Sequence, residues 1–212
     1  MEINARKFDD IARTIFAPAY PLLAGQIIER TRVTRGLCLD LGSGGGYLGL
    51  ALVEKSDLQV CLLDESGEMQ RIAEANITDR GLADRAWAVK GDVHSIPLQD
   101  GCVDLVVSRS SLFFWNDLVR AFGEIDRVLA PGGHAYVGGG FGSREVRDRI
   151  VSRMRERTPD WQPKYNQYRE DGRYVGSVRA AGISDFRATR DESGFWITFQ
   201  KTWQQQQRPK AA

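Results

Sequence analysis

Residues 38–52, CLDLGSGGGYLGLAL, decide how the rest of the chain is read. A short run that is apolar except for Asp40 meets four glycines and then a second apolar run from Tyr47, which holds a fifth. That is the pattern of a buried strand turning sharply into a helix. Glycine loops at a helix N-terminus present backbone N–H groups to an anion, most often a phosphate. Asp40, two residues ahead of the first glycine, places a carboxylate beside that loop and would repel a phosphate.

Two patterns overlap here. Gly44, Gly46 and Gly49 form G-x-G-x-x-G, and Asp64 lies 20 residues beyond Gly44, which together satisfy the dinucleotide fingerprint. Asp40, Gly42, Gly44 and Gly46 form D-x-G-x-G-x-G. The first pattern calls for NAD and an oxidoreductase, and Asp40 is a liability in it. The second suits S-adenosyl-L-methionine, whose ammonium an acid can hold while helix-terminal N–H groups take its carboxylate. A local role, Asp40 capping the following turn, is the structural alternative. Asp64 ends an apolar run, VCLLD, and can accept both hydroxyls of a ribose in either cofactor; its alternative is a helix cap. Asp92, in VKGDVHSIP, is placed to accept from an adenine amino group, with Val93 as an apolar wall.

Outward from the loop, short apolar segments alternate with helical ones. Strands are predicted at 36–42, 58–64, 85–92 and 102–108, with helices at 46–55, 68–81 and 117–129 between them. Asp117 reads as an N-cap and Gly81 as a C-terminal stop. A fifth strand follows the turn APGG, at 130–133. Near-continuous apolar strands joined through helices predict an α/β, doubly wound, mostly parallel sheet whose loops at one edge bind the ligand. Residues 183–203 read as two strands joined at Ser193-Gly194, an antiparallel hairpin. Residues 1–31 read as helical, broken near Pro18 and Pro21, and form an N-terminal lid. Residues 141–181 form a helical insertion on the substrate side. The expected organisation is one domain over 1–203 with a flexible tail, 204–212.

The chain has 212 residues and a formal charge of +1, so no global field favours nucleic acid or an acidic membrane. No apolar run approaches the roughly 18 residues of a membrane span. Cys38, Cys61 and Cys102 have no paired metal spacing and read as thiols in a reducing, cytoplasmic setting. No metal is expected. Six arginines between Arg144 and Arg157 outnumber Glu145, Asp148 and Glu156. They spread over more than one helix face, which favours a solvated helix over an RNA-binding one.

LDLGSGGG, LLDESGEMQRIAEAN, GDVHSIPLQDGCVDLVVS and EIDRVLAPGGHAYV occur in order between 38 and 137. Together they resemble the motifs of class I S-adenosylmethionine-dependent methyltransferases of the small-molecule type, similar to those of ubiquinone and menaquinone biosynthesis. The resemblance implies a Rossmann-like, seven-stranded sheet with a C-terminal hairpin. It also implies a cofactor set of Asp40, Gly42, Ser43, Gly44, Gly46, Asp64, Glu65, Met69, Asp92, Val93 and Ser108, with S-adenosyl-L-homocysteine as product. It fades over 1–31 and 141–180.

The implied reaction is an in-line displacement onto a small-molecule acceptor, driven by positioning and desolvation. SRSSLFFWND, after the fourth strand, supplies the pocket candidates Arg109, Ser110, Ser111, Phe113, Phe114 and Trp115. Three consecutive aromatics cannot share one face, so one or two are expected in the pocket. His94 and His134 are the only histidines, and neither reads as a general base. Phe8, Tyr20, Tyr165 and Tyr168 fall in the lid segments.

Overall fold

The structure is a computed structural model and describes residues 5–167, 171–191 and 194–202. Seven strands form one sheet: β1 (Arg35–Leu41), β2 (Asp57–Asp64), β3 (Ala86–Lys90), β4 (Val103–Arg109), β5 (Leu129–Gly140), β6 (Phe186–Asp191) and β7 (Gly194–Gln200). Their spatial order is β3-β2-β1-β4-β5-β7-β6. All neighbouring pairs from β3 to β5 are parallel, and β7 runs antiparallel to both β5 and β6. This is the mostly parallel α/β sheet with a C-terminal hairpin that the sequence predicts. The Ser193 half of the predicted turn lies outside the described residues.

Buried on both faces, the C-terminal halves of β1 and β2 are apolar almost without interruption. Helices α3 (Tyr47–Lys55), α4 (Gly67–Asp79) and α5 (Leu118–Val128) carry the crossovers β1→β2, β2→β3 and β4→β5. The N-terminal segment folds as α1 (Ala5–Thr14) and α2 (Ala19–Thr31), broken before Pro18 as expected. Pro21 sits in the first turn of α2, where its missing N–H costs nothing. After β5 come α6 (Arg144–Arg157), a single turn α7 (Lys164–Gln167) and α8 (Asp171–Ala180).

One boundary differs from expectation. Strand β5 begins at Leu129, ahead of the Pro-Gly-Gly read as a turn, because Leu129 already pairs with Val103. A register shift between Val103 and Leu105 takes up the extra residues. Asp117 caps α5 as predicted, accepting the Arg120 N–H at 2.9 Å. At the other end of that helix the buried Lys201 donates to the Asp126 carbonyl at 2.5 Å. Arg127 reaches from α5 to the Ile96 and Leu98 carbonyls and pairs with Glu124 and Asp100, pinning the loop that follows β3. No single described helix is long and apolar enough to cross a membrane; α1 and α2 together reach the length but meet at 75°.

Candidate functional site

The strand order reverses between β1 and β4, so the chain leaves these two strands in opposite directions and opens a crevice at their C-terminal ends. The glycine loop follows β1 at that point. Gly42 and Gly46 have φ of +62° and +81°. A methyl group at Gly42 would lie 2.3 Å from Ser111 Cβ, and one at Gly46 would lie 2.4 Å from Leu62 Cδ1. The loop is therefore glycine-rich because it turns through left-handed conformations while pressed against β2 and the segment after β4. Asn76 of α4 donates to the Gly45 carbonyl at 2.8 Å and fixes the loop from outside.

Asp64 accepts the Gly44 N–H at 2.8 Å and the Ser66 N–H at 2.9 Å. The cap of α4 is Ser66, whose hydroxyl accepts the Met69 N–H. The capping alternative for Asp64 is thus taken by its neighbour, and Asp64 instead ties the end of β2 to the glycine loop. Glu65 is exposed, and Met69 is buried with its sulfur 4.0 Å from the place a Gly44 methyl would occupy.

Asp40 is almost wholly buried, and its Oδ2 accepts the Gly49 N–H of α3 at 2.9 Å. The local capping role set against its ligand role is therefore realised, by one oxygen. Oδ1 has no partner among the described residues. Burial pushes this carboxyl up to about 7, against the lowering effect of the Gly49 N–H, and Asp64 pushes in the same direction as burial. Nearby, the Ser43 hydroxyl is buried without a hydrogen-bond partner.

Asp92, exposed after β3, accepts both the backbone N–H and the Nδ1 side of His94, the latter at 2.6 Å. These contacts, the backbone one first, lower its pKa. Nε2 of His94 then accepts the Asp117 N–H at 3.3 Å, so both ring nitrogens are engaged. Val93 is buried beside it. His134 lies mid-strand in β5, four residues short of the Gly138 that pairs with the end of β4, about 13 Å from the crevice edge at strand rise.

After β4 the buried Ser108 hydroxyl bonds that of Ser111 at 2.6 Å, and Ser111 donates to the Leu41 carbonyl at 2.9 Å. This relay stitches β4 to the end of β1. Ser110 holds φ of +68°, a left-handed conformation that costs a non-glycine residue about 1 kcal/mol or more. Nothing in the sequence signalled that strain. The three aromatics divide. Phe113 is buried at the sheet edge against Tyr174, and Phe114 is half exposed with Lys164 over its ring. Trp115 turns away to pack edge-on against Phe122 of α5. Trp115 thus packs with the α5 core, which leaves Phe113 and Phe114 as the aromatics nearer the sheet edge.

Arg109 extends from the end of β4 among Phe16, Tyr20 and Phe141, each ring centroid 5.1 Å from its Cζ. Phe16 and Phe141 were not among the sequence candidates, since nothing local links them to Arg109. Of the lid aromatics, Tyr20 stacks on Tyr47 and Tyr165 packs on Phe141; Tyr168 lies outside the described residues. Phe8 lies 3.7 Å from the position of a Gly44 methyl.

Comparison with known proteins decides the family. A model described as a methyltransferase domain matches residues 39–137. A solved structure from Methanococcus maripaludis, provisionally described as an S-adenosyl-L-methionine-dependent methyltransferase, is 42% identical. It superposes with a TM-score of 0.90 over 95% of this chain and 97% of its own. The chain belongs to the S-adenosylmethionine-dependent methyltransferase family. Malonyl-[acyl-carrier protein] O-methyltransferase of Methylovorus sp. is 35% identical over 60% of this chain and 46% of its own length. Demethylmenaquinone methyltransferase of Lactiplantibacillus plantarum is 35% identical over 44% of this chain and 40% of its own. The chain thus spans less than half the length of either curated methyltransferase.

The residues present fit the family's cofactor, S-adenosylmethionine. An acid with one open oxygen, an orphaned Ser43 hydroxyl and a strand-end acid twenty residues on match its ammonium, carboxylate and ribose. Among the described residues no cluster of His, Cys, Asp or Glu is arranged to hold a metal.

Proposed function

We propose that this protein transfers a methyl group from S-adenosylmethionine to a small-molecule acceptor at the crevice between β1 and β4. The cofactor supplies an electrophilic methyl group. Asp40 Oδ1 holds the ammonium, Ser43 and the loop N–H groups the carboxylate, and Asp64 the ribose hydroxyls. Asp92 Oδ2 and the Val93 wall receive the adenine. The observation that carries this reading is the buried Ser43 hydroxyl left without a hydrogen-bond partner at the glycine loop, beside an Asp40 carboxyl that spends one oxygen on Gly49. Buried polar atoms lacking a protein partner are rare and call for another one.

Both histidines are unsuited to base catalysis by their placement, so the protein's contribution is alignment and exclusion of water. Phe113, Phe114 and the strained Ser110 line the acceptor side. The N-terminal lid supports this. Asp9 of α1 accepts from Tyr47 at 2.7 Å, while α6 holds α1 through Arg157–Asp10 at 3.1 Å and Arg153 to the Thr14 carbonyl at 2.9 Å. Two arginines of the basic helix are therefore engaged inside the molecule, which favours a small acceptor over RNA. We take α1–α2 and α6–α8 as the covers of one domain.

The test is incubation of the protein with methyl-labelled S-adenosylmethionine and a metabolite extract, read by mass spectrometry. A metabolite gaining one labelled methyl group is expected. Label confined to the cofactor across extracts, with no S-adenosylhomocysteine formed, contradicts the proposal.

A further inference from the structure

Arg109 is a half-buried cation that forms no ion pair among the described residues. Its Nε donates to the Gly140 carbonyl at 3.0 Å, and no other hydrogen bond or ion pair involves it among the described residues. Three aromatic rings surround it at 5.1 Å. Ring faces attract a guanidinium, yet they offer its N–H groups no in-plane acceptor. Four Nη–H donors therefore remain in a setting partly shielded from water. Such a cation matches the fork of a carboxylate, to which arginine binds through two parallel hydrogen bonds.

Among the described residues, the titratable groups that act on Arg109 are Tyr20, Tyr165 and Asp40. Tyr20 and Tyr165 are phenols whose ionisation burial opposes, and the Asp40 carboxyl beyond them already accepts from Gly49. Burial also lowers the pKa of Arg109, so a bound anion would relieve a real cost.

The side chain leans over β5, toward Gly140 and Phe141, whereas the glycine loop follows β1 on the other side of β4. The cage is closed by Phe16, at the break between α1 and α2, and by the residue that leads into α6. Tyr20 also stacks on Tyr47, the first residue after the glycine loop, and the Asp40 carboxyl acts on Arg109, so the cage borders the cofactor loop on its β5 side. The geometry points to Arg109 as the receptor for a carboxylate of the methyl acceptor, held in the cage of Phe16, Tyr20 and Phe141. This assignment rests on the methyl-transfer reading and narrows its acceptor to small organic acids.

Calorimetry tests it with matched probes: acetate, benzoate and succinate against acetamide, benzamide and succinamide. Each is titrated into the full chain saturated with S-adenosylhomocysteine. At least one acid should bind tenfold or more tightly than its amide. Arg109→Gln and Arg109→Lys should abolish that preference, the lysine because a point charge lacks the fork, while S-adenosylhomocysteine affinity stays within twofold. Retained cofactor affinity also shows that the variants fold. Equal binding of acids and amides overturns the assignment.

A second arm separates the two sources of carboxylate. If Arg109→Gln weakens S-adenosylhomocysteine but not its decarboxylated analogue, the cage serves the cofactor and the acceptor assignment fails. If the wild type binds no S-adenosylhomocysteine at all, the methyl-transfer reading is what falls. The acid–amide comparison without it then still decides the role of Arg109.

Discussion

The glycine-loop edge and the arginine cage meet at the Tyr20–Tyr47 stack but are built in different ways. At the loop, each key side chain satisfies a main-chain demand within reach of its own strand. Asp64 holds Gly44 and Ser66, Asp40 holds Gly49, and the glycines fit because Leu62 and Ser111 leave no room for a Cβ. In the cage, one side chain from β4 meets rings from the α1–α2 break, from α2 and from the end of β5. The loop edge uses rigid local geometry for a ligand of fixed chemistry. The cage is assembled from distant, separately variable segments, as a surface that selects an acceptor requires.

The contrast can be broken most forcefully at the loop itself. Gly46→Ala adds a Cβ at 2.4 Å from the buried Leu62, at a φ of +81°. Left-handed strain and overpacking, roughly 1–3 kcal/mol each, should lower unfolding stability by about 2–6 kcal/mol in urea titration. A loss under 1 kcal/mol would mean that the loop is loosely held.

Asp64→Ala comes next. Losing an acceptor of charge-assisted hydrogen bonds should weaken S-adenosylhomocysteine binding by about a hundredfold. It should also release the Gly44 and Ser66 N–H groups, so stability falls as well. Asp64→Asn, which keeps an acceptor for only one of these two N–H groups, should recover part of the stability and little of the affinity.

Asp40 gives a pH signature. Its pKa in the free protein is raised to about 7, so the folded state binds this proton more tightly than the unfolded chain. The group's contribution to stability therefore grows as pH falls from 8 toward 4, and Asp40→Asn should flatten that part of the Tm profile. Ligand binding should show the opposite trend. Holding an ammonium requires the ionised form, so S-adenosylhomocysteine affinity should fall about tenfold per pH unit below 7. A binding profile unchanged in Asp40→Asn would remove this residue from the ammonium site.

The smallest effect is expected at the lid. Arg157 and Asp10 are substantially exposed, and their loss should cost less than about 1 kcal/mol. Arg157→Ala should nevertheless speed proteolytic cleavage within α1 at native conditions. An unchanged cleavage rate would leave α1 held by Asp9 and Tyr47 alone.

How legible each region is in the sequence follows from the same contrast. Alternating apolar runs and helices predict the sheet because burial on both faces forces continuous apolar strands. The twenty-residue interval from Gly44 to Asp64 is readable because it spans one helix and one strand. Asp40 is legible as a candidate ligand, whereas its hydrogen bond to the Gly49 N–H depends on the position of α3 and occupies one oxygen. The aromatic run at 113–115 could not be divided by periodicity, since a three-residue 3-10 turn places Phe113 and Trp115 inward and Phe114 outward. Arg109 is visible as a residue, but Phe16 and Phe141 are not visible as its partners. They are brought to it only by the packing of the N-terminal helices on the sheet.

Titration calorimetry of the full chain at pH 8 with S-adenosylhomocysteine, and separately with NAD, tests the central claim most directly. The account predicts micromolar or tighter binding of S-adenosylhomocysteine, lost in Asp64→Ala, and no heat with NAD. Binding of NAD with none of S-adenosylhomocysteine would contradict it.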